Sequence, residues 1–395
     1  MRVVYYSHPH FLESATLFAR AMRERADFHF LLEVSPSSWQ SAMFDMERVP
    51  LLRGIQPADP IVGPHFSSRI REYWRGLASF NLVAHTSRRS IHPASWWTSH
   101  SVMRFIHNLK PDILHLDDPD MSLRLALDIV ELGRIPLILN VHDPVPHSGE
   151  HNWRKTLARK LIFPRVHHYI LHNHNQVEAF CRANDVASDR VAVVCLGSYD
   201  VYQEWITKSV TQSDRTILFF GRLSPYKGLN VLYHAAQRVA ERIPNVRFVV
   251  AGSPTTGYLP PQPPLLAQGG RVELIQHYIN NEYLAELFQQ ATVVVCPYLD
   301  ATQSGVVLTA YAFNRPVVAS AVGGLSEYVM QDDTGLLVPP GNSKELAEAL
   351  FKVLSNKDLQ IQFQNRIRSL KAERFSWDQV ADHMSDVYER TLFSR

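Results

Sequence analysis

Residues 216–228 read TILFFGRLSPYKG, an uncharged run typical of a strand that passes into a loop with one arginine and one lysine. Residues 302–327 read TQSGVVLTAYAFNRPVVASAVGGLSE and place small residues where a helix is predicted to begin. Parallel α/β sheets bind phosphorylated ligands at such junctions, where backbone N–H groups and the helix dipole favour anions. The two stretches therefore predict an α/β fold with a site for a phosphorylated ligand.

The bulk composition predicts a large globular protein with two domains. The chain has 395 residues, of which 46% are hydrophobic and 20% charged, so it can bury substantial cores. Its formal net charge is only +2, whereas nucleic-acid-binding proteins usually carry a strong basic excess. We therefore expect no nucleic-acid partner.

Three cysteines, Cys181, Cys195 and Cys296, are too far apart in sequence for a CxxC pair. They favour reduced thiols in a cytoplasmic protein. The first residues, MRVVYYSHPH, resemble a first strand more than a signal peptide. No apolar run approaches the roughly 20 residues that span a bilayer. We expect any membrane contact to be peripheral, on the inner face.

Two series of alternating strands and helices predict two parallel sheets with right-handed crossovers. We predict domains over residues 1–198 and 214–375, a hinge over residues 199–213 and a C-terminal helix within residues 376–395. The region 50–101 is rich in Pro, Ser, His and Trp, and we expect a long loop there that faces a ligand. Strands are predicted at residues 3–7, 28–33, 113–116, 137–141 and 168–172, then at 216–220, 247–251, 271–275, 292–296, 316–320 and 335–338.

The loop after residue 220 carries two candidate anion-binding cations. Gly221 follows the strand, and Arg222 and Lys227 flank a tight turn at the predicted carboxyl edge of the sheet. A guanidinium and an ammonium suit a diphosphate whose negative charge grows as it leaves. Two ordinary surface charges are an alternative, because charged loops are common. Ser304 likewise predicts either an anion-binding helix start or a plain N-cap.

A family resemblance rests on several motifs in the second half of the chain. They are Gly221-Arg222-Leu223, Tyr226-Lys227-Gly228, residues 314–319 (NRPVVA), Val322-Gly323-Gly324 with Glu327, residues 334–338 (TGLLV), residues 346–350 and Phe375-Ser376-Trp377. Together they resemble the donor domain of retaining GT-B glycosyltransferases of family four. The resemblance implies an α/β GT-B fold with two Rossmann-like parallel-sheet domains that face a central cleft. It also implies that the C-terminal helix crosses back to the first domain.

The resemblance also implies roles for individual residues. Residues 1–198 would bind the acceptor, and residues 214–375 the nucleotide-sugar donor. Arg222 and Lys227 would hold the donor diphosphate and act in catalysis with His142, without a metal or cofactor. The remaining donor-binding positions would be Gly221, Tyr278, Thr302, Gln303, Ser304, Gly305, Val306 and Thr309.

This chain departs from the family pattern at two glutamates. The family usually has a pair eight positions apart, which would fall at Thr309 and at or beside Ala301. Asp300 is the nearest acidic residue, and a threonine hydroxyl makes only part of a carboxylate's contacts with ribose. The absence of the pair motivates an alternative function, a catalytically silent sugar-nucleotide-binding subunit. A nicotinamide-dependent dehydrogenase is disfavoured because neither candidate loop contains GxGxxG.

The first domain contributes candidate acceptor residues. His142, at the end of a predicted strand, resembles the family histidine near the transferred sugar, and Asp143 either orients it or binds acceptor. His8 and His10 lie in the first strand-to-helix loop, where contact with the acceptor and a purely structural role stay equally open. The surrounding histidines lack the spacing of a metal site.

Residues 151–165, HNWRKTLARKLIFPR, predict a basic amphipathic helix. Such a helix is compatible with peripheral binding to an anionic membrane that carries a lipid-linked acceptor. A core helix with a solvated basic face is the more common case, and we favour it. The leading expectation for the whole chain is a retaining, metal-independent hexosyltransferase. Its donor is a nucleotide-diphosphate sugar, for which UDP is the commonest nucleotide, and its acceptor is a hydroxyl of a glycan, a lipid-linked molecule or a small molecule.

Overall fold

The protein is built on two large sheets of mostly parallel strands, one in each of two structural units. The computed structural model describes residues 1–34, 53–62, 68–86, 92–117, 135–142 and 153–393, with the isolated positions 40–41, 44–45, 129, 132 and 144. The chain divides into two units. Unit 1 comprises Met1–His172, Val177–Leu196 and Trp377–Arg395, and unit 2 comprises Asn173–Gln176 and Gly197–Ser376.

The sheet of unit 1 has the strand order β10-β9-β8-β7-β1-β2-β6-β5. Neighbouring strands are parallel except for β5, which runs antiparallel to β6. A separate antiparallel pair, β3 and β4, is very short. The strands are β1 Arg2–Ser7, β2 Asp27–Val34, β3 Gln40–Ser41, β4 Phe44–Asp45, β5 Gly54–Pro57, β6 Ser79–Ala84, β7 Ile113–Leu116, β8 Leu137–Asn140, β9 Val166–Leu171 and β10 Val191–Val193.

Central strands of unit 1 are buried on both faces, which explains their continuous apolar runs. Helices supply the layers that cover this sheet, as parallel strands require. The helices of unit 1 that precede its last segment are Leu12–Met22, Asp59–Val62, Ser68–Arg71, Pro93–Leu109, Trp153–Ile162 and Val177–Asn184.

Unit 2 has a six-stranded, entirely parallel sheet in the order β13-β12-β11-β14-β15-β16. Its strands are β11 Thr216–Phe220, β12 Arg247–Ala251, β13 Arg271–Ile275, β14 Val293–Cys296, β15 Val317–Ser320 and β16 Gly335–Val338. Its helices are Leu229–Ala240, Asn281–Gln290, Gly305–Ala312, Leu325–Tyr328, Ser343–Ser355 and Lys357–Ala372. Three of these helices begin after asparagine caps, Asn280, Asn342 and Asn356, whose side chains accept backbone N–H bonds.

The last helix, Trp377–Phe393, belongs to unit 1 and packs on its first helix, Leu12–Met22. Its buried stripe contains the predicted residues Val380, Met384, Val387 and Tyr388. Arg25 adds an ion pair with Asp382 at 2.8 Å. The predicted return of this helix to the first domain is confirmed.

Among the described residues, no helix combines the length and the apolar character needed to cross a membrane. The basic segment 151–165 forms the helix Trp153–Ile162 followed by a 3₁₀ turn. Ala158 and Ile162 are buried in the core of unit 1, while Leu157 is 37% exposed. The described part of this helix therefore packs as a core helix on one face.

Candidate functional site

The candidate donor site lies where the strand order of unit 2 reverses. The chain winds outward from β11 to β13 on one side and from β14 to β16 on the other. Open parallel sheets bind ligands at such a reversal, outside the carboxyl ends of the strands. The loops after β11 and β14 carry most of the predicted donor residues.

These two loops are closely packed against each other. The N–H of Leu299 donates to the carbonyl of Tyr226 at 2.7 Å. Gly228 has φ +71°, and a Cβ added there would lie 1.9 Å from the carbonyl oxygen of Pro297. Only glycine permits both this left-handed backbone and this close approach. The YKG sequence therefore fixes the lysine loop against the segment that follows β14.

Lys227 is a buried cation in the lysine loop. Lys227 is only 9% exposed, and its Nζ lies 3.8 Å from the ring centroid of Tyr298. Burial lowers the pKa of Lys227 to about 8. Arg222, by contrast, is exposed. Within the described ranges no carboxylate forms an ion pair with either residue, so both charges are available to an anion.

The helix Gly305–Ala312 begins directly beyond the segment that follows β14. Ser304 occupies the N-cap position without a capping bond, and its Oγ instead lies 3.3 Å from the Tyr298 hydroxyl. In the part of the chain that the structure describes, the N–H groups of Gly305 and Val306 have no acceptor. The helix start therefore presents donors to an anion.

Gly221 connects the end of β11 to this helix start. Its N–H donates to Ala251 at 3.0 Å, and its φ is +112°. A Cβ added at Gly221 would lie 3.4 Å from Val306 Cγ2. Gly221, the two cations and the start of the helix thus form one cluster in unit 2.

Other predicted donor residues lie around this cluster with different surroundings. The carbonyl of Thr302 accepts from Gly324 N–H at 3.0 Å, while Gln303 is half-buried. Thr309 is 4% exposed, and its hydroxyl donates to the Gly305 carbonyl at 2.8 Å. That hydroxyl is therefore engaged within its own helix. Tyr278 follows β13 and is 44% exposed.

Glu327 anchors a loop within unit 2. Its carboxylate accepts the backbone N–H of His174 at 2.9 Å and that of Asn175 at 2.7 Å, and it lies 3.0 Å from the His174 ring nitrogen. Burial alone would raise the pKa of Glu327, but these hydrogen bonds hold that pKa below its usual value. Glu327, which belongs to one of the family-resembling motifs, thus holds the backbone of His174 and Asn175 in place.

The candidate site of unit 1 centres on a buried carboxylate, Asp117. It lies at the carboxyl end of β7, where the strand order reverses between β7 and β1. Four donors reach it: Tyr5 Oη at 2.7 Å, Ser7 Oγ at 2.8 Å, Asn140 Nδ2 at 3.0 Å and His142 Nε2 at 2.6 Å. This number of donors satisfies an ionised carboxylate away from water.

Electrostatics support the same interpretation of Asp117. Burial alone would raise its pKa, but the charge and hydrogen bond of His142, together with the bonds from Tyr5 and Asn140, hold the pKa well below its usual value. The Nε2 of His142 is therefore hydrogen-bonded to a permanent negative charge. Such a partner fixes both the tautomer and the orientation of an imidazole.

Stacking fixes the plane of His142. Its ring lies 3.6 Å from the ring of Phe11, with 16° between the planes, and 4.6 Å from that of His172. Phe11 ends the turn that also contains His8 and His10. The structure therefore brings the first loop and His142 together. Asp143 lies outside the described residues.

The hydrogen-bond network continues to the C-terminal helix. His115 Nε2 lies 2.9 Å from Asn140 Oδ1, and its Nδ1 lies 2.6 Å from the Tyr388 hydroxyl. Burial lowers the pKa of His115 to about 4, so this ring is neutral at pH 7. Asn140 Oδ1 can only accept, so His115 donates from Nε2 and accepts from Tyr388. Tyr388 is thus connected to Asp117 through the side chains of His115 and Asn140.

Asp117, Phe11 and Tyr298 were not predicted as site residues. Asp117 and Tyr298 each closely follow a strand, which is a signal visible in sequence, but their partners come from distant segments. In unit 1, a cavity is lined by Asp117, Asn140, His142, His172, Trp377 and Met384, among others. No group of three or more His, Cys, Asp or Glu side chains in the described part of the chain is placed to hold a metal ion.

Comparisons with known proteins agree with both halves of the fold. Residues 61–197 match the family model described as Glycosyltransferase Family 4, and residues 214–356 match that described as Glycosyl transferases group 1. An uncharacterised glycosyltransferase of Methanocaldococcus jannaschii is 30% identical over 54% of this chain and 57% of its own length. A D-inositol 3-phosphate glycosyltransferase of Corynebacterium efficiens is 29% identical over 65% of this chain and 66% of its own length. The chain thus spans less than two thirds of these relatives.

Solved structures share the fold over the full chain. Anabaena HepE, determined in complex with UDP, has a TM-score of 0.66 and 16% identity, covering 99% of this chain and 100% of that one. Sucrose-phosphate synthase from Thermosynechococcus elongatus has a TM-score of 0.65 and 15% identity, covering 100% of both chains. Taken together, the two family models and the shared two-sheet architecture identify this chain as a group 1, family 4 glycosyltransferase with the GT-B fold.

Proposed function

We propose that this protein transfers a sugar from a UDP-sugar to a hydroxyl group, with retention of the anomeric configuration. The observation that carries the proposal is the buried ammonium of Lys227, which has no carboxylate partner among the described residues and belongs to the same cluster as the helix start at Gly305. A cation and uncapped N–H groups together suit a diphosphate. UDP is supported by the structural relatives, since HepE was solved with UDP and with UDP-glucose.

In this mechanism, Arg222 and Lys227 stabilise the negative charge that develops on the leaving diphosphate, which is usually a large catalytic contribution. The two cations take the charge-neutralising role without a metal. We assign Gly221, Ser304, Gly305 and Val306 to the same phosphates.

Two further assignments concern the rest of the donor. Tyr278 and the loop at Thr302 and Gln303 would contact the base and the sugar. Family four is typically retaining, and the leaving phosphate itself would accept the acceptor proton in a front-face displacement.

Unit 1 would bind the acceptor, with residues 199–213 as the hinge between the two functions. His142 offers an oriented imidazole whose Nε2 is held by Asp117. It would hydrogen-bond the transferred sugar or the attacking hydroxyl. His8 and His10, which share a turn with Phe11, would contact acceptor together with Asp143. The acceptor is a glycan, lipid-linked or small-molecule hydroxyl, and residues 151–165 would provide peripheral membrane contact on the cytoplasmic side for a lipid-linked one.

Thermal-shift measurements against UDP-, GDP-, ADP- and TDP-sugars test the donor, because a ligand of the folded state raises the melting temperature. Release of UDP in the presence of acceptors then tests transfer.

Lys227→Ala should abolish turnover with little effect on folding. Lys352→Ala is a matched control, because Lys352 forms an exposed ion pair with Asp332 in the same unit. Normal turnover by Lys227→Ala would rule out the assigned role.

A second candidate function is a silent, sugar-nucleotide-binding subunit. It is favoured by Thr309, which stands where the family resemblance places a glutamate and whose buried hydroxyl is bonded to Gly305. Nucleotide-sugar binding without hydrolysis or transfer, over a broad panel of acceptors, would support this function over catalysis. Transfer by the isolated chain would exclude it.

A further inference from the structure

Tyr298 lies between the two parts of the donor cluster. It follows β14 by two positions and is 1% exposed. The face of its ring is 3.8 Å from the ammonium of Lys227, and its hydroxyl is 3.3 Å from Ser304 Oγ. One side chain therefore contacts both the cation of the lysine loop and Ser304, the N-cap residue of the helix.

The face of an aromatic ring can hold the ammonium of a lysine that binds anions. Cation–π attraction holds an ammonium in a desolvated pocket, where it is stronger than at the surface. A carboxylate in the same place would neutralise the lysine, and an incoming phosphate would have to break that ion pair. The ring of Tyr298 carries no net charge, so Lys227 keeps its full attraction for an anion.

The two flanking contacts restrict the lysine further. Tyr226 and Leu299 share a backbone hydrogen bond of 2.7 Å, and Gly228 packs against the Pro297 carbonyl. These contacts hold the backbone on both sides of Lys227 against the segment that carries Tyr298. The ammonium position is thus set by the ring together with the backbone, which is the preorganisation that electrostatic stabilisation requires.

We propose that Tyr298 is a positioning residue for the diphosphate of the donor: its ring holds the Lys227 ammonium and its hydroxyl orients Ser304. The inference rests on the proposed function and specifies which part of the donor Tyr298 serves. Tyr298 does not itself touch the reacting atoms. Its effect passes through Lys227 and Ser304.

Ligand affinities separate this role from a merely structural one. Tyr298→Leu should weaken UDP and inorganic pyrophosphate by about tenfold and leave uridine unchanged. Tyr298→Phe keeps the ring and loses only the contacts of the hydroxyl with Ser304 and Cys296, so its loss should stay within about threefold. Tyr311→Leu is the control, because this buried tyrosine packs on Phe375 in the same unit. It should lower the melting temperature without changing the UDP-to-uridine ratio. An equal loss of UDP and uridine affinity in Tyr298→Leu would overturn the proposal.

A double-mutant cycle provides a second test. If Tyr298 acts mainly through Lys227, adding Tyr298→Leu to Lys227→Met should weaken pyrophosphate binding by no more than the roughly threefold assigned to the contacts of the Tyr298 hydroxyl, instead of the roughly tenfold expected in the wild type. Fully additive losses would contradict the coupling. Should Tyr298→Leu fail to fold, phenylalanines of increasing fluorine content at position 298 keep the ring shape while weakening its negative face. Pyrophosphate affinity should then fall with each fluorine, and a constant affinity would overturn the proposal.

The failures of the two proposals are distinguishable. Wild-type protein that binds pyrophosphate but not UDP, or that binds UDP without transferring sugar, contradicts the proposed function and leaves the Tyr298 comparison measurable. Wild-type protein that binds neither UDP nor pyrophosphate contradicts both.

Discussion

At the scale of single residues, the buried ammonium of Lys227 links donor affinity to pH. Burial lowers its pKa to about 8, so the unliganded protein loses this charge as the pH rises through that value. A bound diphosphate favours the protonated form. We therefore expect UDP affinity to be constant near pH 7 and to fall above about pH 8, by up to tenfold per pH unit. Calorimetric titration from pH 7 to 9.5 measures this, and it avoids the phosphate's own ionisation at about pH 6.

Variants assign that pH dependence to one residue. Lys227→Met should bind UDP weakly with no change across the same pH range. Arg222→Met should also bind weakly but keep a break, shifted upward because the charge of Arg222 helps to lower the pKa of Lys227. Lys227→Arg stays charged over this range and should remove the break. Persistence of the break in Lys227→Met would mean that another group titrates.

Asp117 is the residue on which the network of unit 1 depends. Removing one partner of a buried charge pair leaves the other groups unsatisfied, so we expect Asp117→Asn to lower the free energy of unfolding by about 3 kcal/mol at pH 7. The pKa of Asp117 is depressed in the folded state. Its contribution is therefore present above the unfolded value, about 4, and is lost as the pH falls below it.

Urea unfolding at pH 3.5, 5 and 7 tests this sign. The difference between wild type and Asp117→Asn should be equal at pH 5 and 7 and smaller at pH 3.5. Asp214→Asn is the matched control, since Asp214 forms an exposed pair with Lys357, and we expect it to match wild type throughout. A difference that grows on acidification would contradict an ionised Asp117.

The sequence predicted which residues follow the ends of strands, but it did not predict which side chains those residues contact. The placement of Lys227, Ser304 and His142 after strands follows from local pattern alone. The partner of His142 does not, because Asp117 precedes it by 25 positions and only the pairing of β7 with β8 brings them together. Likewise, the aromatic support of Lys227 comes from the loop after β14, and pairing with β11 is what makes them neighbours.

At the scale of elements, the loop Asn173–Gln176 depends on one carboxylate of unit 2. Glu327 accepts the N–H groups of His174 and Asn175. We expect Glu327→Ala to leave both donors without this acceptor, at a cost of about 2 kcal/mol of local stability. Hydrogen exchange at the His174 and Asn175 amides should then accelerate by roughly thirtyfold. Glu348→Ala removes an exposed pair with Arg242 and serves as the control. Unchanged exchange in Glu327→Ala would contradict the anchoring role.

Strand boundaries were predictable to within one residue for most strands of both sheets, including the charged and partly exposed edge strand β13. Strands β7, β11, β12, β13 and β16 have the predicted limits, because each run ends at a loop residue. Within residues 50–101, where the sequence predicted a long loop, the structure has β5, β6 and the first part of the helix Pro93–Leu109, none of which was predicted. The aromatic and polar residues of this region obscure the repeat of apolar residues from which strands and helices are predicted. In addition, β5 joins the edge of the sheet in an antiparallel direction, and tertiary contacts set that pairing.

At the scale of the whole molecule, the last segment of the chain completes the first unit. Val380, Met384, Val387 and Tyr388 are buried in unit 1. At roughly 2 kcal/mol for each buried side chain, their loss removes about 8 kcal/mol, comparable with the total stability of a domain. We expect a chain ending at Ser376 to unfold unit 1 while unit 2 stays folded. Hydrogen exchange should show lost protection in β1 and β2 and full protection in β11 and β14. Retained protection in β1 would contradict the dependence of unit 1 on this helix, and equal loss in β11 would show that the two units unfold together.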